Sequence, residues 1–271
     1  MKTKNFILYL ILIFIANINT AFCEKVAKSN IKEEAITYTL DNTVFKGFVA
    51  YDKTLKGKLP AVLVIPEWWG LTEYPKMRAR QLAQLGYIAF AVDMYGDGKI
   101  ATNPTEAQAL TVPFYGNPQL SKTRLDAAIN KIKQYKQTDP ANVFAIGYCF
   151  GGAVVLNCAK LGSNLKGVVS FHGTLKGVSA DRSLLKADIL VCQGGNDKFA
   201  PEADQKVFKH QLDSIGAKYS FITYPSAMHA FTNPEATETG KKFSMPIEYN
   251  KAADLASWKD MKKFLSLLVT K

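Results

Sequence analysis

Cys149 stands in the run Ala145-Ile146-Gly147-Tyr148-Cys149-Phe150-Gly151-Gly152, with a glycine two residues to either side. That spacing suits a nucleophile on a sharp strand-to-helix turn. Residues 142–146 read as a short buried strand and residues 152–161 as an Ala/Val/Leu helix, so the thiol falls at the junction. Gly147 and Gly151 remove the Cβ atoms that would clash where strand and helix pack closely. The sulfur would then stand clear of the sheet, and the Phe150 amide, at a helix N-terminus, would face a developing oxyanion. A phosphate-binding turn is the competing reading of these glycines. It fails on chemistry, because the run has no Gly-Lys-Ser/Thr ending and no G-x-G-x-x-G spacing, and the bulky Tyr148 and Phe150 obstruct a phosphate.

A cysteine nucleophile needs a base and a group to orient that base, and these must arrive from other elements. Residues 35–40 and 43–51 flank Asp41-Asn42 as an antiparallel hairpin. Beyond it, apolar runs at 61–65, 87–92, 142–146, 165–171, 189–193 and 218–224 alternate with helical patterns at 75–85, 123–137, 152–161, 203–214 and 249–269. The alternation predicts an α/β domain with a mostly parallel, doubly wound sheet and an N-terminal antiparallel hairpin. In such sheets ligands sit beyond the carboxyl ends of the strands. Glu67, Cys149, Asp197 and His229 each follow an apolar run, and the last three stand in the order nucleophile, acid, histidine, the chain order of an α/β-hydrolase triad. His172 ends the 165–171 run and points to the same edge, where it is a candidate pocket residue or, alternatively, makes a structural hydrogen bond. No His/Cys/carboxylate group has metal-ligand spacing, so no metal is expected, and hydrolysis by a nucleophile and its base needs no cofactor.

The chain has 271 residues, 48% of them hydrophobic, enough for one domain with a sizeable core. Its start follows a different pattern: Lys2 and Lys4, an apolar stretch over 6–16, and the small residues of Ala21-Phe22-Cys23. This is the pattern of a secretory signal peptide over 1–23, followed by a short lead over 24–34 and a catalytic domain over 35–271. The apolar stretch is too short to span a bilayer; lipid attachment at Cys23 is the less favoured alternative, since Phe22 is large where a lipoprotein signal normally has a small residue. An exported protein, periplasmic or secreted, is therefore expected. The formal charge of +11 falls to +9 once Lys2 and Lys4 are removed. The lysines are scattered rather than clustered with aromatics, which argues against nucleic acid as a partner. The chain contains no C-x-x-C, which argues against a thiol redox protein.

Taken in order, Pro66-Glu67-Trp68-Trp69-Gly70, Gly86-Tyr87, Val92-Asp93-Met94-Tyr95-Gly96, Gly147-Tyr148-Cys149-Phe150-Gly151-Gly152, Phe171-His172-Gly173 and His229-Ala230-Phe231 resemble the dienelactone hydrolase family over residues 35–268. The resemblance implies an α/β-hydrolase fold without a large cap domain, and a Cys-His-Asp triad on Cys149, His229 and Asp197. It also implies a glutamate beside the thiol, here Glu67, and an oxyanion hole formed by the amides of Phe150 and Trp68. The activity implied is hydrolysis of a small ester or lactone through a thioester acyl-enzyme, with an aromatic pocket drawn from Trp69, Phe199, Phe231 and their neighbours. Members that act on carboxylated lactones bind the carboxylate with arginines, one after Asp-x-Tyr and one after His-x-Phe. This chain has Gly96-Asp97-Gly98-Lys99 and Thr232-Asn233 there, so Lys99 is the nearest cation and cannot offer the same bidentate fork. A non-catalytic small-ligand-binding module on the same fold is the alternative, and it would need no intact triad.

Overall fold

A computed structural model describes residues 30–269. The signal-peptide assignment over 1–23 and Cys23 lie outside the described residues. Eight strands form one sheet in the order β1-β2-β4-β3-β5-β6-β7-β8. The strands are β1 (Ile31–Leu40), β2 (Thr43–Asp52), β3 (Leu59–Ile65), β4 (Ile88–Ala91), β5 (Thr138–Tyr148), β6 (Gly167–Phe171), β7 (Asp188–Gly194) and β8 (Tyr219–Tyr224). β1 and β2 form the expected antiparallel hairpin, β2 meets β4 antiparallel, and the remaining pairings are parallel. This is an α/β-hydrolase-type sheet without a large cap. The first strand begins at Ile31, ahead of the expected residue 35, because the hairpin pairs through to Ile31 opposite Asp52.

The helices are α1 (Glu73–Gln84), α2 (Pro104–Gly116), α3 (Pro118–Lys133), α4 (Phe150–Lys160), α5 (Glu202–Ser214), α6 (Ala236–Phe243) and α7 (Lys251–Leu268). Both faces of the sheet are covered. Ala61, Leu63 and Ile65 of β3 pack with residues of α2 to α5, whereas Val62 and Val64 pack with residues of α1 and α7. A strand buried on both sides has no polar face to show, which is why the central strands read as continuous apolar runs.

The sequence pattern missed α2 and α6. Asn103 caps α2, its side chain accepting from Glu106 N, and Pro104 fills the first helical position, both ordinary start signals. Pro113 inside the helix hides its continuation. α6 is short and contains Gly240.

After β3 the chain moves to β4 on one side of it, and after β5 to β6 on the other. The crevice between the carboxyl ends of β3 and β5 is therefore the point where the winding reverses. Ile65 pairs with Gly147 there, so Glu67 and Cys149 lie side by side, two residues beyond that rung.

The loop after β4 is organised by one buried carboxylate. Asp93 is 1% exposed and accepts from the amides of Lys46 (3.0 Å), Tyr95 (3.1 Å), Gly96 (2.8 Å) and Gly98 (2.9 Å). Tyr95, so placed, donates from its hydroxyl to Trp68 O at 2.8 Å and steadies the turn after β3. Asp93→Ala should cost about 3 kcal/mol, since several buried amides lose their acceptor together. Asp93→Asn, which keeps one acceptor oxygen, should cost less. Denaturant unfolding checks this, and equal midpoints for wild type and Asp93→Ala would show that the loop does not need the carboxylate.

Candidate active site

Cys149 is half-buried and adopts φ 53°, ψ −114°, a conformation L-residues rarely hold, between the last residue of β5 and the first of α4. Close backbone packing enforces it. A Cβ on Gly147 would lie 2.0 Å from Gly151 O, and one on Gly151 would lie 2.3 Å from Ile65 O. The Cys149 amide points inward, donating to Phe171 O at 3.0 Å and to His172 Nδ1 at 3.1 Å. Phe150 opens α4, where an amide has no acceptor within its own helix. Its ring is buried against Tyr95 and Phe114, which fixes that amide.

Asp197 and His229 arrive from the loops after β7 and β8. Asp197 Oδ2 lies 2.9 Å from His229 Nδ1 and accepts from Gln193 Nε2 at 2.6 Å, while Oδ1 accepts from the Phe199 amide at 2.8 Å. Gln193 was not anticipated. A lone amide side chain near the end of an apolar strand was the available signal. His229 is 5% exposed. Burial disfavours its charged form, but electrostatic interaction with the adjacent Cys149 and hydrogen bonds to Asp197 and Cys149 outweigh that, and its pKa is raised to about 10. Nδ1 is engaged by Asp197, so Nε2 is the nitrogen left for the thiol.

Glu67 is 4% exposed, and its Oε2 accepts from Asn233 Nδ2 at 2.7 Å. Burial pushes its pKa up to about 7, against the pull of the Asn233 bond and of the positive charges of His229 and Arg78. Asn233 stands in the region after His-x-Phe where an arginine would bind a substrate carboxylate; here it binds the protein's own carboxyl group.

These groups open onto a cavity of about 290 Å³ whose lining includes Glu67, Trp68, Cys149, Phe199, His229 and Asn233. Trp69 also lines it, with its ring 5.0 Å from that of Trp68 and 5.9 Å from that of Phe243. Much of the remaining wall comes from the two helices the sequence did not reveal, with Thr174, Ala230, Met245 and Ile247 completing it. α2 presents Gln108, Thr111, Val112 and Tyr115, and α6 presents Ala236 and Thr239. The lining contains no lysine or arginine.

Three residues expected at the pocket lie elsewhere. Lys99 is exposed and pairs with Asp97 at 3.3 Å. Phe231 is fully buried, packed against Tyr224 and His172. His172 is also fully buried, beneath the Cys149 turn. In each case the direction of the loop backbone, which sequence position does not reveal, turns the side chain to solvent or to the core. Among the described residues no group of three or more His, Cys, Asp or Glu could hold a metal ion, and no helix is long and apolar enough to cross a membrane.

The sequence profile of the dienelactone hydrolase family matches residues 45–268. The chain belongs to that family. It is thus an α/β-hydrolase of the ester- and lactone-hydrolysing kind. It is 32% identical to a protein described as a carboxymethylenebutenolidase from Methylorubrum extorquens, over 65% of this chain and 64% of that relative. It is 28% identical to one so described from Escherichia coli, over 72% of this chain and 81% of the relative. Among solved structures, a metagenomic dienelactone hydrolase-like promiscuous phosphotriesterase, P91, superposes with a TM-score of 0.84 at 30% identity, covering 89% of this chain and 99% of that one.

The Glu67 environment has a measurable consequence for stability. Its folded pKa of about 7 lies above the ordinary 4.5, so the fold favours the protonated carboxyl. The stability this contributes is complete below about pH 4.5 and is lost as pH rises through 7. Glu67→Gln mimics the protonated form and should gain stability relative to wild type across that window, by on the order of 3 kcal/mol. Denaturant unfolding at several pH values checks the sign. Parallel pH profiles for the two proteins would mean that the carboxyl is not shifted.

Proposed function

We propose that this protein hydrolyses small uncharged esters or lactones, with Cys149 as nucleophile, His229 as general base and acid, and Asp197 as the carboxylate that orients the imidazole. The observation that carries the reading is that Cys149 and His229 open onto one cavity while Asp197 Oδ2 braces His229 Nδ1 at 2.9 Å behind it. Family membership and the carboxymethylenebutenolidase description of its relatives support the reaction class.

His229 Nε2 takes the thiol proton as Cys149 Sγ bonds to the carbonyl carbon. The oxyanion accepts from the amides of Phe150 and Trp68. When the tetrahedral adduct collapses, the C–O bond breaks and His229 protonates the departing alcohol, leaving a thioester. Water then gives a proton to His229 and adds to the thioester carbonyl, and collapse returns the carboxylic acid and the thiol. Asp197 holds the tautomer and stabilises the imidazolium without itself taking the proton. Glu67, on the same wall as the sulfur, opposes a second negative charge there when ionised, so its proton influences when the thiolate forms.

The substrate class follows from the walls. Aromatic and aliphatic surface surrounds the nucleophile, no lysine or arginine lines the cavity, and Glu67 disfavours a substrate carboxylate. We also infer export from the signal-like pattern of residues 1–23. Intact mass of protein recovered from outside the cytoplasm tests it: retention of those residues would count against it.

Cys149→Ala should lower kcat/KM for a neutral aryl ester by about a thousandfold or more with little change in melting temperature. Retained activity would overturn the thiol mechanism. Neutral aryl esters and lactones should also exceed a carboxylated dienelactone in kcat/KM by about tenfold or more at matched ionic strength. A preference for the carboxylated lactone that disappears in Lys99→Ala would instead assign the carboxylate to Lys99.

A further inference from the structure

The fully buried ring of His172 touches both halves of the proposed machinery, yet no step above employs it. Cys149 and His229 follow β5 and β8, which two intervening strands separate. Nothing in a parallel sheet by itself sets the relative height of two loops so far apart. Between these loops runs a buried hydrogen-bonded chain. The Cys149 amide donates to His172 Nδ1 at 3.1 Å, His172 Nε2 lies 2.7 Å from Thr232 Oγ1, and Thr232 Oγ1 lies 2.7 Å from the Tyr74 hydroxyl. Thr232 belongs to the loop that carries His229.

The far end of the chain is anchored. Arg78 Nη2 donates to Thr232 O at 2.6 Å and to Asp254 Oδ1 at 2.5 Å, tying the His229 loop to α1 and α7. His172 itself sits at φ 41°, its amide bonded to Cys192 O at 2.9 Å, and its ring meets His229 and Phe231 edge-on. An amide donor at Nδ1 requires a lone pair there, so a neutral ring carries its proton on Nε2 and donates it to Thr232. Burial, together with the positive charges of His229 and Arg78, holds the ring neutral by driving its pKa well down. Flipping the ring would put a C–H group against the Cys149 amide, which leaves a single satisfied orientation.

We propose that His172 is a positioning residue that locks the nucleophile turn to the His229 loop through Thr232, and so sets the approach of imidazole to sulfur. The inference deepens the hydrolase reading and rests on it for its kinetic test. Phe171 O also accepts the Cys149 amide, at 3.0 Å, so losing the bridge frees the turn relative to the loop rather than leaving that amide unpaired.

The test uses Thr232→Val, Thr232→Ser and Tyr74→Phe, with kcat, KM, melting temperature and the rate of Cys149 alkylation by iodoacetamide read for each. Thr232→Val should lower kcat by about tenfold with KM within about twofold, because small misalignment of reacting groups costs this much or more. Its alkylation rate should change by about threefold or more. Thr232→Ser, which keeps the hydroxyl, should restore both, and Tyr74→Phe, at the far end, should have a smaller effect on each. Unchanged kcat and alkylation in folded Thr232→Val would overturn the proposal. So would a kcat loss that follows melting temperature across all three variants, which marks packing alone. Should wild type cleave no ester, the hydrolase reading falls separately. The alkylation arm then decides the bridge by itself, a difference of Thr232→Val from both wild type and Thr232→Ser supporting it and equality overturning it.

Discussion

Gly151 lies so close to the end of β3 that a Cβ there would meet Ile65 O at 2.3 Å and Pro66 O at 2.6 Å, and its amide donates to Pro66 O at 3.1 Å. This contact joins the turn that carries Cys149 to the turn that carries Glu67 and Trp68. Backbone atoms, rather than side chains with rotamers to choose from, therefore set the spacing of the thiol, the carboxyl group and the two amides. Asp93 and Tyr95 reinforce the arrangement from the neighbouring strand end, Tyr95 by holding Trp68 O. A site built this way is preorganised before any ligand enters.

Around that frame, burial and charge act in different directions on neighbouring groups. Desolvation raises Glu67 to about 7 and drives His172 well down, while His229 rises to about 10 because its interactions with Cys149 and Asp197 outweigh burial. The three side chains occupy a small volume, with the two imidazole rings 5.2 Å apart. Two imidazolium ions at that distance in a dry interior would repel strongly. Keeping His172 neutral and hydrogen-bonded at both nitrogens leaves His229 as the ring that can carry charge.

The walls of the cavity are a separate matter from its floor. The floor comes from strand ends and the turns that follow them; much of the remaining wall comes from α2 and α6, which lie in connections beyond β4 and β8. Connections of this kind vary without disturbing the sheet, so one fold can retain its chemistry and change what it admits. Here they contribute aliphatic, aromatic and neutral polar surface, and the region that could have carried an arginine holds Asn233 bonded to Glu67.

The amino-acid pattern alone determined the sheet, its parallel character and the strand ends that meet. Central strands must bury both faces and so appear as unbroken apolar runs, and parallel strands bring their carboxyl ends to one edge. Glu67, Cys149, Asp197 and His229 could be located for that reason, since each follows such a run. Tertiary structure decided the rest. α2 and α6 each turn one face toward the cavity, and Pro113 interrupts one pattern while shortness weakens the other. Lys99, Phe231 and His172 follow strands too, yet they face solvent or the interior. Beyond the last rung of a sheet the side-chain period of two no longer holds, and direction depends on the backbone of each loop. Gln193 and the chain from His172 through Thr232 to Tyr74 join residues far apart in sequence by single hydrogen bonds, and such bonds leave no period to read.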